Sequence, residues 1–157
     1  MPIKDKLNLN KLIFIQFLNL IHLIDEYVFD FPRWSTEHFG TMTKSYYLFS
    51  HAIIVFIIGL IIWGIKKGSK VAIFLALGAQ TVFFTNGIFH IVTSLLWSQH
   101  SPGLISQIII LPASVIAYKM IRDSKVLSGK QTVYSLILGM FVSVLIILSL
   151  YLNTTVH

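Results

Sequence analysis

Long apolar stretches dominate this chain, and short polar segments separate them. A transmembrane helix needs about 20 apolar residues, and five of the stretches reach or approach that length. The pattern therefore predicts an all-α fold, a polytopic membrane bundle of five transmembrane helices in one integral membrane domain over residues 1–157. The predicted helices cover residues 12–31, 46–65, 71–96, 104–120 and 133–152.

Composition agrees with a place inside the bilayer. Charged residues make up 11% of the 157 residues, against about 25% in soluble domains, and the mean hydropathy is +0.79. These values exclude a water-soluble globule, a disordered chain and a coiled coil. Cysteine is absent from the sequence, which excludes disulfides, thiolate metal ligands and a thiol nucleophile.

The basic residues predict an orientation. Most of the 12 Lys and Arg residues lie before the first predicted helix, between the second and third, or between the fourth and fifth. The positive-inside rule then places the N-terminus in the cytoplasm and the C-terminus outside. This bias also accounts for the net charge of +6, so the charge requires no nucleic-acid partner. The expected partners are membrane lipids.

The few polar side chains of the predicted helices gather at one depth. His22 lies near the middle of the first helix, while His51, Asn86 and His90 lie in the outer halves of the second and third helices. Ionisable groups are costly in hydrocarbon and normally face the bundle interior, where they mark functional sites. We therefore expect one site in which the Glu26 and His90 side chains lie within about 8 Å of each other.

Helical spacing places two acidic residues beside the central histidine. Glu26 follows His22 by four residues and Asp25 follows it by three, so both carboxylates share a helix face with the imidazole. Asn86 and His90 stack in the same way on the third helix. A lone polar group such as His51 or Asn86 is often only a hydrogen-bonding partner between helices. Their convergence at one depth nevertheless favours a functional cluster. The remaining histidines, His38, His100 and His157, are expected to be solvated residues beyond the helices.

The turn before the fourth predicted helix adds a second candidate site. Ser101 is a good N-cap and Pro102 suits the first helical position. Helix N-termini attract anions, so Ser101, Gly103 and Gln107 are candidate anion-binding or substrate-binding residues. Ordinary helix initiation is the alternative. Pro112, inside the same helix, is expected to kink it.

These motifs resemble the HXXEE-domain family of small bacterial membrane proteins. Residues 22–26 resemble the signature that names the family, and residues 86–90 resemble its second signature, an Asn and a His four apart. Residues 100–103 and Pro112 follow in the family's order, so the resemblance covers about residues 12–120. It implies a multi-pass protein of the bacterial plasma membrane, and its polar motifs suggest an enzyme.

Two positions depart from the family pattern. Asp25 stands where the family has its first glutamate, which keeps the charge and shortens the side chain by one methylene group. His100 stands where an aromatic residue is usual. The first departure bears directly on the geometry of any metal or proton chemistry in the cluster.

The first functional hypothesis is a membrane-embedded enzyme acting on a lipid or other amphiphile near the outer leaflet. In its metal-dependent form, a divalent metal such as Zn, Fe or Mn is held by His22, Glu26 and His90, together with His51. Asp25 then serves as general base or orients a ligand. In its metal-free form, Glu26 is the acid, His90 is the base and Asn86 stabilises an oxyanion.

Two other classes of protein use the same residues. A proton or metal-ion transporter would use them as a relay or an ion site, although the inner half of the bilayer carries few polar residues to continue a path. A structural membrane subunit would use them only to fix helix packing.

Overall fold

The chain forms a bundle of helices in the computed structural model, which describes residues 2–152 and side chains up to residue 150. Seven helices lie in these residues: α1 (Ile3–Lys6), α2 (Leu9–Val28), α3 (Phe31–His38), α4 (Lys44–Lys66), α5 (Lys70–Trp97), α6 (Leu104–Ser124) and α7 (Gly129–Leu152). Among them, α4, α5, α6 and α7 are long and apolar enough to cross a membrane, and the bent pair α2–α3 passes the same test as one unit. The predicted all-α class is confirmed, with four or five candidate membrane spans in a multi-pass protein.

The first span differs from its prediction, which was one helix over residues 12–31. In the structure α2 ends at Val28, α3 begins at Phe31, and the two helices meet at 67°. Asp30 between them has a left-handed φ of 52°, which interrupts the helical hydrogen bonds. The α2 helix therefore ends three residues before the predicted end of this span. Most of α3 lies between the first two predicted helices, with Phe31 and Trp34 buried and Arg33 exposed.

Side chains cap the N-termini of α2, α4 and α5. Asn8, Thr43 and Ser69 each accept a hydrogen bond from the backbone N–H three residues later. Each bond satisfies an amide that the first helical turn leaves without a partner. These three polar residues therefore fix where the apolar stretches begin as helices.

The start of α6 corrects the predicted cap at Ser101. Its N-cap is Gly103, whose φ of 96° belongs to the left-handed region that glycine adopts readily, and α6 begins at Leu104. Pro102 therefore precedes the helix instead of occupying its first position. The helix then continues through Pro112 to Ser124.

Four helices form a ring around the bundle axis. The α2 helix packs mainly against α4 and α6, and α5 packs against the same two helices from the other side. We call the end where α2 and α5 begin the lower end, and the end where they finish the upper end. An apolar core fills the lower end and includes Leu12, Ile65, Ile73 and Ile121.

The α7 helix lies outside this ring and packs mainly on α5. The two helices approach closely at Gly139, where an added Cβ would lie 2.5 Å from both the Gly78 carbonyl oxygen and the Thr81 Cβ. The polar side chains described below belong to the ring and to the turn before α6, whereas α7 packs against α5.

The close approach of α7 predicts the effect of one methyl group. Gly139→Ala should lower the free energy of unfolding by about 1–3 kcal/mol, because the added carbon overpacks the interface. Gly59→Ala is the matched control, since a Cβ there meets nothing within 4 Å. Unfolding of the detergent-purified variants in a titration with dodecyl sulfate measures both effects. Equal stability of the two variants would contradict the contact.

Candidate metal centre

Imidazoles from three helices surround the carboxylate of Glu26, which is 5% exposed. Its Oε1 atom lies 3.2 Å from Nε2 of His22 and 3.2 Å from Nε2 of His90. Its Oε2 atom lies 2.9 Å from Nε2 of His51. The expected approach of Glu26 to His90 within about 8 Å is therefore confirmed, and both side chains point into the ring.

Serine hydroxyls hold the outer nitrogens of two of these rings. Nδ1 of His22 lies 2.9 Å from Oγ of Ser106, and Nδ1 of His90 lies 2.8 Å from Oγ of Ser101. The Ser106 hydroxyl already donates to the Gly103 carbonyl oxygen, so it accepts from the His22 Nδ1–H group. A neutral His22 then presents the lone pair of Nε2 to the centre of the cluster.

Two amide side chains complete the surroundings of His22. Nδ2 of Asn86 lies 2.6 Å from Nε2 of the imidazole, and the Gln107 amide lies 3.1 Å from Nδ1. A 180° turn of the Gln107 amide presents its oxygen to the same Nδ1–H group. The imidazole of His22 is therefore fixed on both edges by groups from α5 and α6.

His22, Glu26 and His90 form a group that could hold a metal ion. Each offers one ligand atom, these atoms all lie within 4.8 Å of one another, and all three residues are buried. Histidine ligands usually donate their second ring N–H to a fixed partner, which sets the tautomer and the ring orientation. Two imidazoles and one carboxylate are also a donor set of catalytic zinc sites, which keep a fourth position for water or substrate.

His51, a predicted metal ligand, stands behind the carboxylate and outside this group of three. Its Nδ1 atom lies 2.9 Å from the Tyr47 carbonyl oxygen, which can only accept, so Nδ1 carries a proton. Its Nε2 atom lies 2.9 Å from Glu26 Oε2. His51 thus holds the carboxylate oxygen that points away from His22 and His90.

Asp25 points from α2 to the start of α6. Its Oδ2 atom accepts a hydrogen bond of 2.8 Å from the backbone N–H of Ser106. The Asp25 carboxylate therefore accepts from a backbone amide at the N-terminus of α6, where we predicted that an external anion binds. This hydrogen bond anchors α6 against α2. The shorter side chain at this position contacts α6 backbone, while Glu26 carries the contacts to the imidazoles.

Gly103 presses its backbone against the cluster. An added Cβ would lie 2.6 Å from Cε1 of His22 and 2.8 Å from Nε2 of His90. Of the three candidate anion-binding residues, Gly103 thus contacts both rings, Ser101 bonds His90 and Gln107 bonds His22. Their part in binding an anion stays a prediction.

Aromatic side chains of α3 cover the upper side of the cluster. The Phe31 ring lies 6.1 Å from the His90 ring, centroid to centroid, and 5.5 Å from the Trp34 ring. Sequence reasoning missed this cover because most of α3 lies between the first two predicted helices, in a polar segment that hydropathy assigns to a loop. His38 and His100 do not join the cluster, since their rings lie against Trp97 and Phe29 respectively. His157 lies outside the described residues.

Sequence reasoning also passed over three buried amide side chains below the cluster. Gln16, Asn19 and Gln80 are each at most 1% exposed. The available signal was their spacing, because Gln16 and Asn19 precede His22 by six and three residues on the same helix. A single polar residue within a long apolar run is readily assigned to helix contact alone.

Comparison with known proteins gives one match. A family model described as a protein of unknown function with HXXEE motif matches residues 13–117. Searches of curated proteins and of solved structures return no match. The matched residues contain the His22–Glu26 motif, with Asp25 at its first acidic position, and every ligand atom of the candidate metal centre. This chain belongs to the HXXEE family.

Proposed function

We propose that this protein is a membrane-embedded, metal-dependent enzyme that acts on a lipid-like substrate. One observation carries the proposal: two imidazole Nε2 atoms and a carboxylate oxygen converge while serine hydroxyls hold both Nδ1 atoms. This arrangement orients nitrogen lone pairs and a negative oxygen toward one point. Zn, Fe and Mn are the divalent metals that such ligands favour.

The roles of the residues follow from their contacts. A divalent metal at this position supplies a Lewis acid and lowers the pKa of a bound water molecule. His22, His90 and Glu26 would hold it, and His51 would orient Glu26 through its contact with the outer carboxylate oxygen. Asn86 lies beside His22 Nε2, where its amide can donate to a developing oxyanion.

The exposed edge of the site supports a lipid-like substrate. The side chain of His51 is 17% exposed, whereas those of His22 and His90 are at most 1% exposed. His51 lies on α4 and contacts Glu26 on α2, so the site is most accessible between these two helices. Tyr27 and Leu48, next in sequence to Glu26 and Tyr47, are largely exposed. An amphiphile can approach along this apolar surface with its polar group toward the cluster.

The surroundings of the cluster favour an enzyme over a transporter. The core at the lower end contains Leu12, Ile65 and Ile73, which are fully buried and apolar. A polar path across the bundle would have to pass this layer. We propose a location in the bacterial plasma membrane with the lower end at the cytoplasm, as the basic residues there indicate.

Removal of one ligand tests the metal directly. Wild-type protein purified in detergent should bind one Zn²⁺ or Co²⁺ per chain. Changes to residues that only orient metal ligands weaken metal binding by up to roughly 100-fold. Glu26→Gln should weaken it by more than that, because a charged ligand is lost. Asp25→Asn is the matched control and should keep the metal, since Asp25 bonds the Ser106 amide. Calorimetric titration measures the affinities, and equal affinity in the two variants would contradict the ligand set.

The serine hydroxyls provide a second test of the same centre. Ser101→Ala and Ser106→Ala should each lower the metal affinity by about 10–100-fold, because each frees one ligand imidazole to rotate. Ser143→Ala removes a buried hydroxyl of α7 that bonds the Gly139 carbonyl oxygen, and should leave the affinity unchanged. If all three variants bind metal alike, the hydroxyls do not orient the ligands.

The proposed enzymatic activity is tested by comparing the lipid composition of cells that express different variants. Mass spectrometry should show that cells expressing Glu26→Gln differ from cells expressing wild-type protein in one lipid class, as substrate accumulates and product is lost. Ser143→Ala, outside the ring, should keep the wild-type lipid pattern. If the lipids are unchanged and wild-type protein carries metal into proteoliposomes, the enzyme proposal is wrong and the protein is a transporter.

A further inference from the structure

Four buried polar side chains come from three helices of the ring at levels below the metal centre. Gln16 and Asn19 come from α2, Gln80 from α5 and Ser114 from α6, and each is at most 5% exposed. Oε1 of Gln80 accepts a 2.9 Å hydrogen bond from the Ser114 hydroxyl. Both amide atoms of Gln16 and of Asn19, and Nε2 of Gln80, have no hydrogen-bond partner within the described part of the chain.

The depth of these side chains follows from the contacts above them. The α2 and α5 helices both run from the lower to the upper end, and the contacts His22–Asn86 and Glu26–His90 each join residues 64 positions apart. The same offset places Gln16 level with Gln80. Both lie about 9 Å below the layer of His22, with Asn19 halfway between.

The α6 helix connects this lower layer to the cluster. Ser114, which bonds Gln80, follows Gln107 by seven residues, so the two side chains share one face of α6. The Gln107 amide lies 3.1 Å from Nδ1 of His22, and its second amide atom is a further buried polar atom without a partner in the described residues. Polar atoms therefore continue from Gln16 and Gln80 up to the edge of the metal centre.

The chemistry of the free atoms selects the ligand. Buried polar groups without hydrogen bonds are costly, and ordered water is their usual partner. The free atoms include both N–H donors and carbonyl acceptors, and none belongs to a charged group. A cation would leave the donors unsatisfied and an anion would leave the acceptors unsatisfied, whereas water satisfies both.

We propose that Gln16, Asn19, Gln80 and Ser114 form a polar column that binds a chain of water molecules below the metal centre. A span of about 9 Å holds about three waters at hydrogen-bond spacing. The column extends the polar surroundings of the cluster downward, on the side opposite the aromatic cover of α3. It rests on the position of the cluster and does not require the metal, so it can fail or hold independently of the proposed function.

The column is closed at its lower end. Leu12 and Leu77 lie about one helical turn below Gln16 and Gln80, and both are buried in the apolar core with Ile121. The water chain is therefore a blind store that ends inside the bundle. Proteoliposomes containing wild-type protein should accordingly show no proton leak above that of protein-free vesicles, and a leak that Gln16→Leu abolishes would overturn the closed column.

X-ray hydroxyl-radical footprinting tests the waters, because radiolysis of bound water oxidises the side chains beside it. The reporter is Phe83, which is 7% exposed and lies at the level of Asn19 by the 64-residue offset. Phe83 should be oxidised in metal-free wild-type protein, whereas Ile73 in the apolar core should not. In the Gln16→Leu/Gln80→Leu double variant, oxidation of Phe83 should fall to background.

A second variant keeps the test decisive if the double variant does not fold. Gln80→Met preserves the length of the side chain, removes both amide atoms and should reduce oxidation of Phe83, while thermal unfolding verifies the fold. No oxidation of Phe83 in wild-type protein, or equal oxidation in folded variants, would overturn the proposal. The amides would then serve only as contacts between helices.

Discussion

The carboxylate of Glu26 lies inside a bundle of apolar helices, where an unpaired charge would carry a large free-energy cost. The Nε2 atoms of His22, His51 and His90 lie within 3.2 Å of its oxygens, and these residues come from α2, α4 and α5. The fourth helix of the ring, α6, contributes the serine hydroxyl that holds His22. Pairing this one carboxylate therefore fixes the register of four helices, and the same contacts that stabilise the bundle orient the candidate metal ligands.

The location of the cluster could be predicted because helices have a fixed rise and a fixed angular period. Three- and four-residue spacings placed His22, Glu26 and His90 on interior faces, and counting residues placed them at one depth. The basic residues and the hydropathy gave the helices to within a few residues. These predictions depend only on the local geometry of a helix, which packing between the helices of a membrane bundle seldom changes.

Features decided by contacts between helices escaped the same reasoning. The bend at Asp30 lies near the end of the first predicted helix, and hydropathy does not report the left-handed backbone at that residue. Gly103 replaces Ser101 as the N-cap of α6 because its backbone must approach two imidazoles closely, and Asp25 reaches across to the Ser106 amide. The polar column was missed since hydropathy averages single amides such as Gln16 into their apolar neighbours.

X-ray absorption spectroscopy at the zinc edge measures the central claim most directly, because it reports which atoms bind the metal. Zinc-loaded wild-type protein should show two imidazole ligands, through the Nε2 atoms of His22 and His90, and oxygen ligands including Glu26. The metal–nitrogen distances should be about 2.0–2.1 Å. A spectrum without imidazole scattering, or purified protein that retains no metal after loading, would contradict the assignment of this cluster as a metal centre.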